Sequence, residues 1–352
     1  MKKILFLTQS PIEGPASRVR VYQYLPYLKQ HGFEATVLSA LPSAWFKKYY
    51  TDATLSGKLA FFGRMFFRRL THLLKLKEYD AIFLQREVIP YFPPFFEKVI
   101  RKKAKRLIFD FDDAIYHSRT RGRLGEYNKK KIETIISWCD YVIAGNEHLA
   151  SFARSYHSEV HVIPSGIDAE RYVPDVKYQS PKPVIVWIGT PSSMVYLKIL
   201  EKPLEELHSH HSFIFRVIGA NPGFFSKVPL ECIPWELGSE VSHLQTADIG
   251  IMPLFDGERE RGKCGYKLLQ YMACGLPVVA SPVGVNQEIV KEGINGFLAG
   301  NEENWKEKLT LLLRDQELKF TLGQQGRKDV ETKYSLHQTL PKLLSVLEKA
   351  VS

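Results

Sequence analysis

The sequence predicts an α/β protein built from two doubly wound parallel-sheet domains, and three observations carry that prediction. Short apolar runs rich in β-branched and aromatic residues alternate with helix-length amphipathic stretches. The alternation halts once, in the polar stretch SGIDAERYVPDVKYQSPKP, where Pro164, Pro174, Pro181 and Pro183 cluster, and then restarts. The length of 352 residues also exceeds the size at which one hydrophobic core usually stops growing, about 250–300 residues.

The elements follow in order. KILFLT opens the first sheet, a helix is expected over residues 18–30, and ATVLSA closes the first unit. DAIFLQ, RLIFDF, DYVIAG and VHVIP supply further strands, each set apart by a helical stretch. After the polar interruption come VIVWIG, FIFRVIG, ADIGIMP and PVVAS. Residues 1–165 are therefore expected as the N-terminal domain, 166–183 as a linker and 184–335 as the C-terminal domain, with 336–352 a final helix packing back toward the first domain. In GKCGYKLLQYMACGLPVVAS, Cys264, Leu268, Leu269 and Met272 fall at helical spacing, so a helix is expected to begin beside Lys263 and to end at Gly275-Leu276-Pro277.

Composition narrows the class. A content of 45% hydrophobic and 24% charged residues is that of a soluble globular protein. Cys139, Cys232, Cys264 and Cys274 lie at spacings unlike a metal motif and are expected as buried, reduced thiols, in keeping with the cytoplasm. The apolar run Ile4–Leu7 is too short for a signal peptide, and no stretch approaches the roughly 20 apolar residues of a membrane span.

Charge is unevenly placed. Residues 1–170 hold 27 Lys and Arg against 17 Asp and Glu, whereas residues 171–352 hold 21 of each. The excess centres on residues 45–106 and favours an anionic partner. In KLAFFGRMFFRRLTHLLKLK, Leu59, Phe62, Phe66, Leu70 and Leu73 form a stripe expected to pack on the sheet, with Arg64, Arg68 and Lys75 opposite. Phe61, Phe67, WFKKYY and RKKAKR are left over, and basic text interleaved with aromatics suits an anionic membrane surface, here the inner face of the cytoplasmic membrane. No nucleic-acid-binding motif is present.

Function is expected at the carboxyl ends of the strands, where open parallel sheets bind ligands. Those ends carry Gly189, Thr190, Ser192 and Ser193, then Gly219, then the turn holding Lys263, Cys264 and Gly265, then Ser281-Pro282-Val283-Gly284. Backbone amides at helix starts favour a phosphate. Lys263 and Lys267 add cations and Gln270 a hydrogen-bonding group; the alternative is the solvated face of an ordinary helix. In the first half, Gly14 allows close approach of a ligand, Ser17 suits a helix cap, and Arg18 or Arg20 can serve a phosphate, unless the loop is a plain surface turn. DFDDA places Asp112 and Asp113 at a strand end near His117, as candidates for sugar contacts or as a helix cap and ion pair. A divalent cation on Asp110 and Asp112 is the weaker reading. Trp235, near a strand end of the second half, suits either base stacking or the core.

The run LLQYMACGLPVVASPVGVNQEIVKEGINGFL resembles the C-terminal signature of the family 4 (group 1) glycosyltransferases, which have the GT-B fold, two Rossmann-like domains facing across a cleft. HVIPSGIDAERYVP is similar to that family's linker text, and SPIEGPASRVRVYQYLPYLKQHGFEATVLS to its first strand–loop–helix. The resemblance implies a metal-independent, cofactor-free hexosyltransferase that moves a sugar from a nucleotide-diphosphate sugar to a glycan or lipid-linked acceptor hydroxyl with retention. It places the donor on the C-terminal domain and the acceptor on the N-terminal one. Two departures stand out. Where the family usually has two glutamates eight residues apart, this chain has Gly262 and Gln270; the carboxylates on offer are Glu258 and Glu260. Its usual basic pair after the first donor-domain strand is replaced by TPSSMVYLK, with Lys198 the nearest cation. A non-catalytic scaffold of the same fold, or a nucleotide-sugar epimerase, are the alternative functions.

Overall fold

The computed structural model describes residues 1–46, 55–117, 122–175 and 182–352. Residues 47–50 of the basic aromatic text and 176–181 of the expected linker lie outside the described residues. Two compact units result, Met1–Gly166 with Gly262–Cys264 and His337–Ser352, and Ile167–Arg261 with Gly265–Leu336.

The first unit contains β1 (Lys2–Thr8), β2 (Phe33–Ser39), β3 (Ala81–Gln85), β4 (Leu107–Phe111), β5 (Tyr141–Ala144) and β6 (Val160–Val162), arranged β2-β1-β3-β4-β5-β6. All its pairings are parallel, and the chain changes direction of travel across the sheet between β1 and β3. β1, β3 and β4 are buried almost throughout because helices cover both faces, which is why they read as continuous apolar runs. The expected helix over 18–30 is instead two short helices, Pro15–Arg20 and Leu25–Gln30, joined by a 3₁₀ turn at Tyr22–Tyr24. Pro26 accounts for the break, since it lacks the N–H that a continuous helix would use there. The C-terminal helix Leu336–Val351 is held to this unit by the Tyr24 and Thr339 hydroxyls, 2.8 Å apart, and by Tyr141 donating to the Lys349 carbonyl.

The helix Leu55–His72 turns inward a face partly rotated from the one expected. Of the expected stripe, Leu73 is buried and Phe66 packs against the core, but Leu59 is 65% exposed and Phe62 and Leu70 are exposed as well. Phe61, Met65, Arg69 and His72 are buried, whereas Phe67 and Leu74 are 69% and 80% exposed. Arg69 explains the rotation. Its guanidinium donates to the carbonyls of Thr8, Leu38 (2.9 Å) and Val88 (3.4 Å), collecting three backbone acceptors near the strand ends. A buried cation with that many acceptors outweighs the apolar pattern on which the expectation rested.

The second sheet contains β7 (Val184–Ile188), β8 (Ile214–Ile218), β9 (Leu230–Ile233), β10 (Ile249–Met252), β11 (Val278–Ala280) and β12 (Gly296–Leu298), ordered β12-β11-β10-β7-β8-β9. It is parallel throughout and reverses between β7 and β10. β9 and β12 are short edge strands of four and three residues, too brief for a periodic signature. Ile167 and Tyr172, inside the expected linker, are buried in this unit. Ile167 bridges to Ser335, and Arg327 donates to the carbonyls of Tyr172, Ala169 (2.7 Å) and Ala273 (2.6 Å).

Candidate active site

In the second unit the β7/β10 reversal is the topological switch point, where a ligand finds the strand ends splayed apart. After β7, Gly189 and Thr190 lead into a 3₁₀ helix, Pro191–Leu200. Thr190 N donates to Ser193 Oγ (3.1 Å), Ser193 N to Thr190 O (2.9 Å), and the Thr190 and Ser192 hydroxyls lie 2.9 Å apart. Pro191 has no N–H, so this turn offers a phosphate its hydroxyls more than a row of free amides. After β10 the short helix Glu258–Arg261 follows, and Tyr196 from the post-β7 segment donates its hydroxyl to Glu260 Oε1. Thr190, Ser192, Ser193 and Glu260 thus come from the two turns that flank the switch point.

Gly219 ends β8 with φ +86°, and a Cβ there would lie 2.3 Å from the Gly189 carbonyl oxygen, so the post-β7 and post-β8 turns touch only because this residue is glycine. Lys267 belongs to the same neighbourhood. Its Nζ lies 4.4 Å from the centroid of the Trp187 ring, the ring that a Cβ on Gly189 would strike.

The helix expected to begin beside Lys263 runs from Tyr266 to Ala273. Gly265 takes φ +66° and a left-handed turn, leaving Lys263 and Cys264 in the non-helical segment ahead of it. Gln270 is 3% exposed, so it does not lie on a solvated helix face, whereas Lys263, ahead of the helix, and Lys267 are half-buried. Its amide donates to the Tyr172 hydroxyl (3.1 Å), Tyr172 donates to Glu240 Oε1, and Trp235 Nε1 donates to Glu240 Oε2 (2.7 Å). Glu240, fully buried, therefore fixes Trp235, half-buried beside Gly219, and through Tyr172 the Gln270 carboxamide. This network spans residues 172 to 270 and left no local mark in the sequence.

The first unit gathers a second constellation at the ends of β3, β4 and β5. Arg86, the first residue past β3, has φ +62°, a strained conformation for a side-chain-bearing residue. Its Nε and NH2 bond Asp112 Oδ1 at 2.9 and 2.6 Å, and Asp113 lies 3.9 Å away. Burial works against the Arg86 charge, but Asp112 and Asp113 outweigh it and hold the guanidinium above its ordinary pKa. Arg20, a candidate for phosphate, is buried and committed to Asp110 and to the Ile163 carbonyl (2.8 Å). That use corrects the expectation, because an arginine buried against its own carboxylate is not open to a ligand. Arg18 is buried against the Ile12 and Glu13 carbonyls. Asp110 and Asp112 are thus each taken by an arginine rather than paired with one another.

Gly14 makes room for Ser10, whose hydroxyl a Cβ would overlap; Ser10 meets Ser17 Oγ at 2.8 Å, and Ser17 donates to Gln85 (2.9 Å). Ser17 is therefore an internal strut rather than the expected cap. The segment Gly262–Lys263–Cys264 lies in this unit. A Cβ on Gly262 would sit 2.5 Å from Ala114 Cβ, and one on Gly145 would sit 2.4 Å from Cys264 Sγ and 3.2 Å from Asp112 Cα. Asp112, Asp113, Lys263 and Cys264 are consequently neighbours, while burial pushes the Cys264 thiol well up. The cysteines are all free; Cys139 and Cys274 are buried, but Cys232 is exposed, contrary to expectation, because it lies on the edge strand β9. The long-range Arg86–Asp112 pair was missed by sequence reasoning; an arginine directly after the strand text AIFLQ was the available hint.

Residues 182–315 match the family described as Glycosyl transferases group 1. Spore coat protein SA of Bacillus subtilis is 37% identical over 81 residues, 22% of this chain and 22% of that protein. Sulfoquinovosyl transferase SQD2 of Arabidopsis thaliana is 27% identical over 188 residues, 47% of this chain and 35% of that protein. The matched stretches thus span well under half of these curated relatives. Among solved structures, Anabaena HepE in complex with UDP and glucose superposes with a TM-score of 0.70 at 16% identity, covering 99% of this chain and 100% of that one. A glycosyltransferase from Rickettsia africae gives 0.73 at 15% identity, covering 100% and 99%. At these identities the likeness is one of fold, and the fold is GT-B.

Proposed function

We propose, from the premise that residues 182–315 are a group 1 glycosyltransferase domain, that the protein transfers a hexose from a nucleoside diphosphate sugar to an acceptor hydroxyl with retention at the anomeric carbon, in cell-surface or lipid-linked glycan synthesis. The observation that carries this reading is the coincidence of the family match with the β7/β10 switch point, where Gly189, Thr190, Ser192, Ser193, Gly219 and Lys267 are gathered. Hydroxyls and the Lys267 ammonium there would bind the diphosphate leaving group, and donors placed where negative charge develops lower the barrier. Gln270 and Trp235, oriented through Glu240, would contact the nucleoside. Asp112 or Asp113 would contact acceptor or donor sugar hydroxyls, Lys263 would supply a further cation, and Glu260 would orient the post-β7 turn through Tyr196. The commitment of Asp110 and Asp112 to arginines supports a diphosphate neutralised by protein cations, without a bound metal.

The acceptor falls to the N-terminal unit, as a glycan or lipid-linked hydroxyl. An anionic membrane is supported by the exposed apolar residues Leu59, Phe67 and Leu74, in the same unit as the basic turn Arg101–Lys103 of the helix Phe95–Lys103. Among the described residues no helix is long and apolar enough to cross a membrane. The Anabaena neighbour is solved with UDP and with UDP-glucose, which supports uridine diphosphate sugars as the first donors to try. Incubation with a panel of nucleotide sugars, followed by nucleoside diphosphate release and NMR of the product anomer, tests the reading. A product of inverted configuration would overturn retention, and no turnover of any donor would overturn the enzyme. One observation favours a non-catalytic binding protein, the burial of Gln270 where the family has a glutamate; nucleotide binding without turnover would mark that outcome.

A further inference from the structure

The turn after β5 holds a side chain with more hydrogen bonds than its place in the fold requires. Asn146 is the N-cap of the helix Glu147–Arg154, its Oδ1 accepting from Leu149 N at 2.9 Å. A serine, threonine or aspartate would cap equally well through its oxygen. Asn146 also uses its amide nitrogen, which donates to the carbonyls of Gly262 and Lys263, both at 3.1 Å, and lies 3.6 Å from Cys264 Sγ. The residue is 4% exposed, so these bonds are shielded from water. Neighbouring contacts close around the same three residues, since neither Gly145 nor Gly262 has room for a Cβ against Cys264 and Ala114 respectively.

We propose that Asn146 is the positioning residue for Lys263: one carboxamide caps a helix with its oxygen and, with its nitrogen, clamps the Gly262–Cys264 backbone alongside the Asp112–Ala114 turn. The catalytic consequence rests on the function proposed above; the clamp itself does not. Gly265, in a left-handed turn directly after this segment, leaves it with no helical hydrogen bonds of its own, so its path depends on such outside partners.

Asn146→Asp separates the two duties, because a carboxylate keeps the cap and donates nothing, facing two carbonyl oxygens instead. Asn146→Ser is the second variant, keeping the cap with a side chain too short to reach the carbonyls. The primary readout needs no activity: alkylation of the full chain by N-ethylmaleimide, followed site by site by peptide mass mapping. Cys264 is expected to react at least tenfold faster in both variants, with the buried Cys139 and Cys274 protected as in the parent. An unchanged Cys264 rate in both would overturn the clamp. So would a rise matched at Cys139 and Cys274, which reports general loosening. Turnover of a nucleotide sugar is then expected to fall at least tenfold in kcat with a smaller change in donor KM. A chain with no transferase activity would refute the proposed function while leaving the alkylation result to decide the clamp.

Discussion

Gly262 stands where related enzymes are expected to carry a glutamate, and the structure makes a specific prediction about restoring a side chain there. An ideal Cβ on Gly262 would lie 2.5 Å from Ala114 Cβ, 2.9 Å from Ala114 N and 3.0 Å from Leu149 Cδ2. Two of those atoms belong to a residue that cannot swing away, so relief requires the backbone of one segment to shift. Overpacking of this kind typically costs about 1–3 kcal/mol. For a unit of this size each kcal/mol moves the melting temperature by about 2–4 °C, so Gly262→Ala is expected to melt several degrees below the parent. Gly238→Ala is the control, since a Cβ there meets nothing within 4 Å and its φ is not positive; it should stay within about 0.5 kcal/mol. Gly262→Glu is expected to be at least as destabilised as Gly262→Ala and to gain no turnover. The assay is thermal melting followed by circular dichroism, checked by urea midpoints. A Gly262→Ala protein that melts with the parent would refute the packing argument, and a Gly262→Glu protein with raised activity would show that the site still has room for the family's carboxylate.

Three further outcomes follow from the same geometry. Asp113→Asn is expected to lower kcat at least tenfold with little loss of stability, whereas Asp112→Asn should lose both, because Arg86 is left without its carboxylate; full turnover in both would remove the pair from the mechanism. Burial, reinforced by the nearby Arg69 and Arg68 charges, lowers the His72 pKa to about 3, against about 6.5 in an unfolded chain. The unfolded chain therefore binds more protons between those values, and stability is lost as pH falls from about 6.5 toward 3, at up to about 1.4 kcal/mol for each unit of the gap. His72→Asn should show a shallower drop in urea midpoint between pH 7.5 and pH 4.5, and an identical drop would exclude His72 as a cause. Vesicles rich in anionic lipid are expected to sediment the parent at low salt, with Phe67→Asp and Leu74→Asp reducing the bound fraction; a protein that ignores such vesicles has no membrane-binding face.

The strands were legible because parallel strands buried on both faces read as apolar runs, and β1, β3, β4, β7 and β8 appear where those runs are. β9 and β12 escaped notice because three or four residues at a sheet edge carry no period. The inward face of the helix Leu55–His72 departs from the expected stripe at Leu59, Phe62 and Leu70 for a different reason. Apolar spacing ranks residues by hydrophobicity, whereas Arg69 is buried by the carbonyls it satisfies, and those come from Thr8, Leu38 and Val88, far away in the chain. The candidate site shows the same divide. Glycine-rich strand ends announce where a ligand can approach, but the partners that decide each side chain's freedom are distant. Arg20 is consumed by Asp110, 90 residues on, and Gln270 is tied to Tyr172, 98 residues back. Local text cannot carry such pairs.

The proposed transfer requires the C-terminal unit to bind a nucleoside diphosphate at the β7/β10 switch point through protein groups alone. Calorimetric titration of the full chain with UDP, GDP and ADP in a metal-free buffer, repeated on Lys267→Ala, tests it most directly. Micromolar binding of one of the three is expected, weakened at least tenfold, about 1.4 kcal/mol, by the substitution. Binding of none of them at millimolar concentration, or binding indifferent to Lys267, would contradict it.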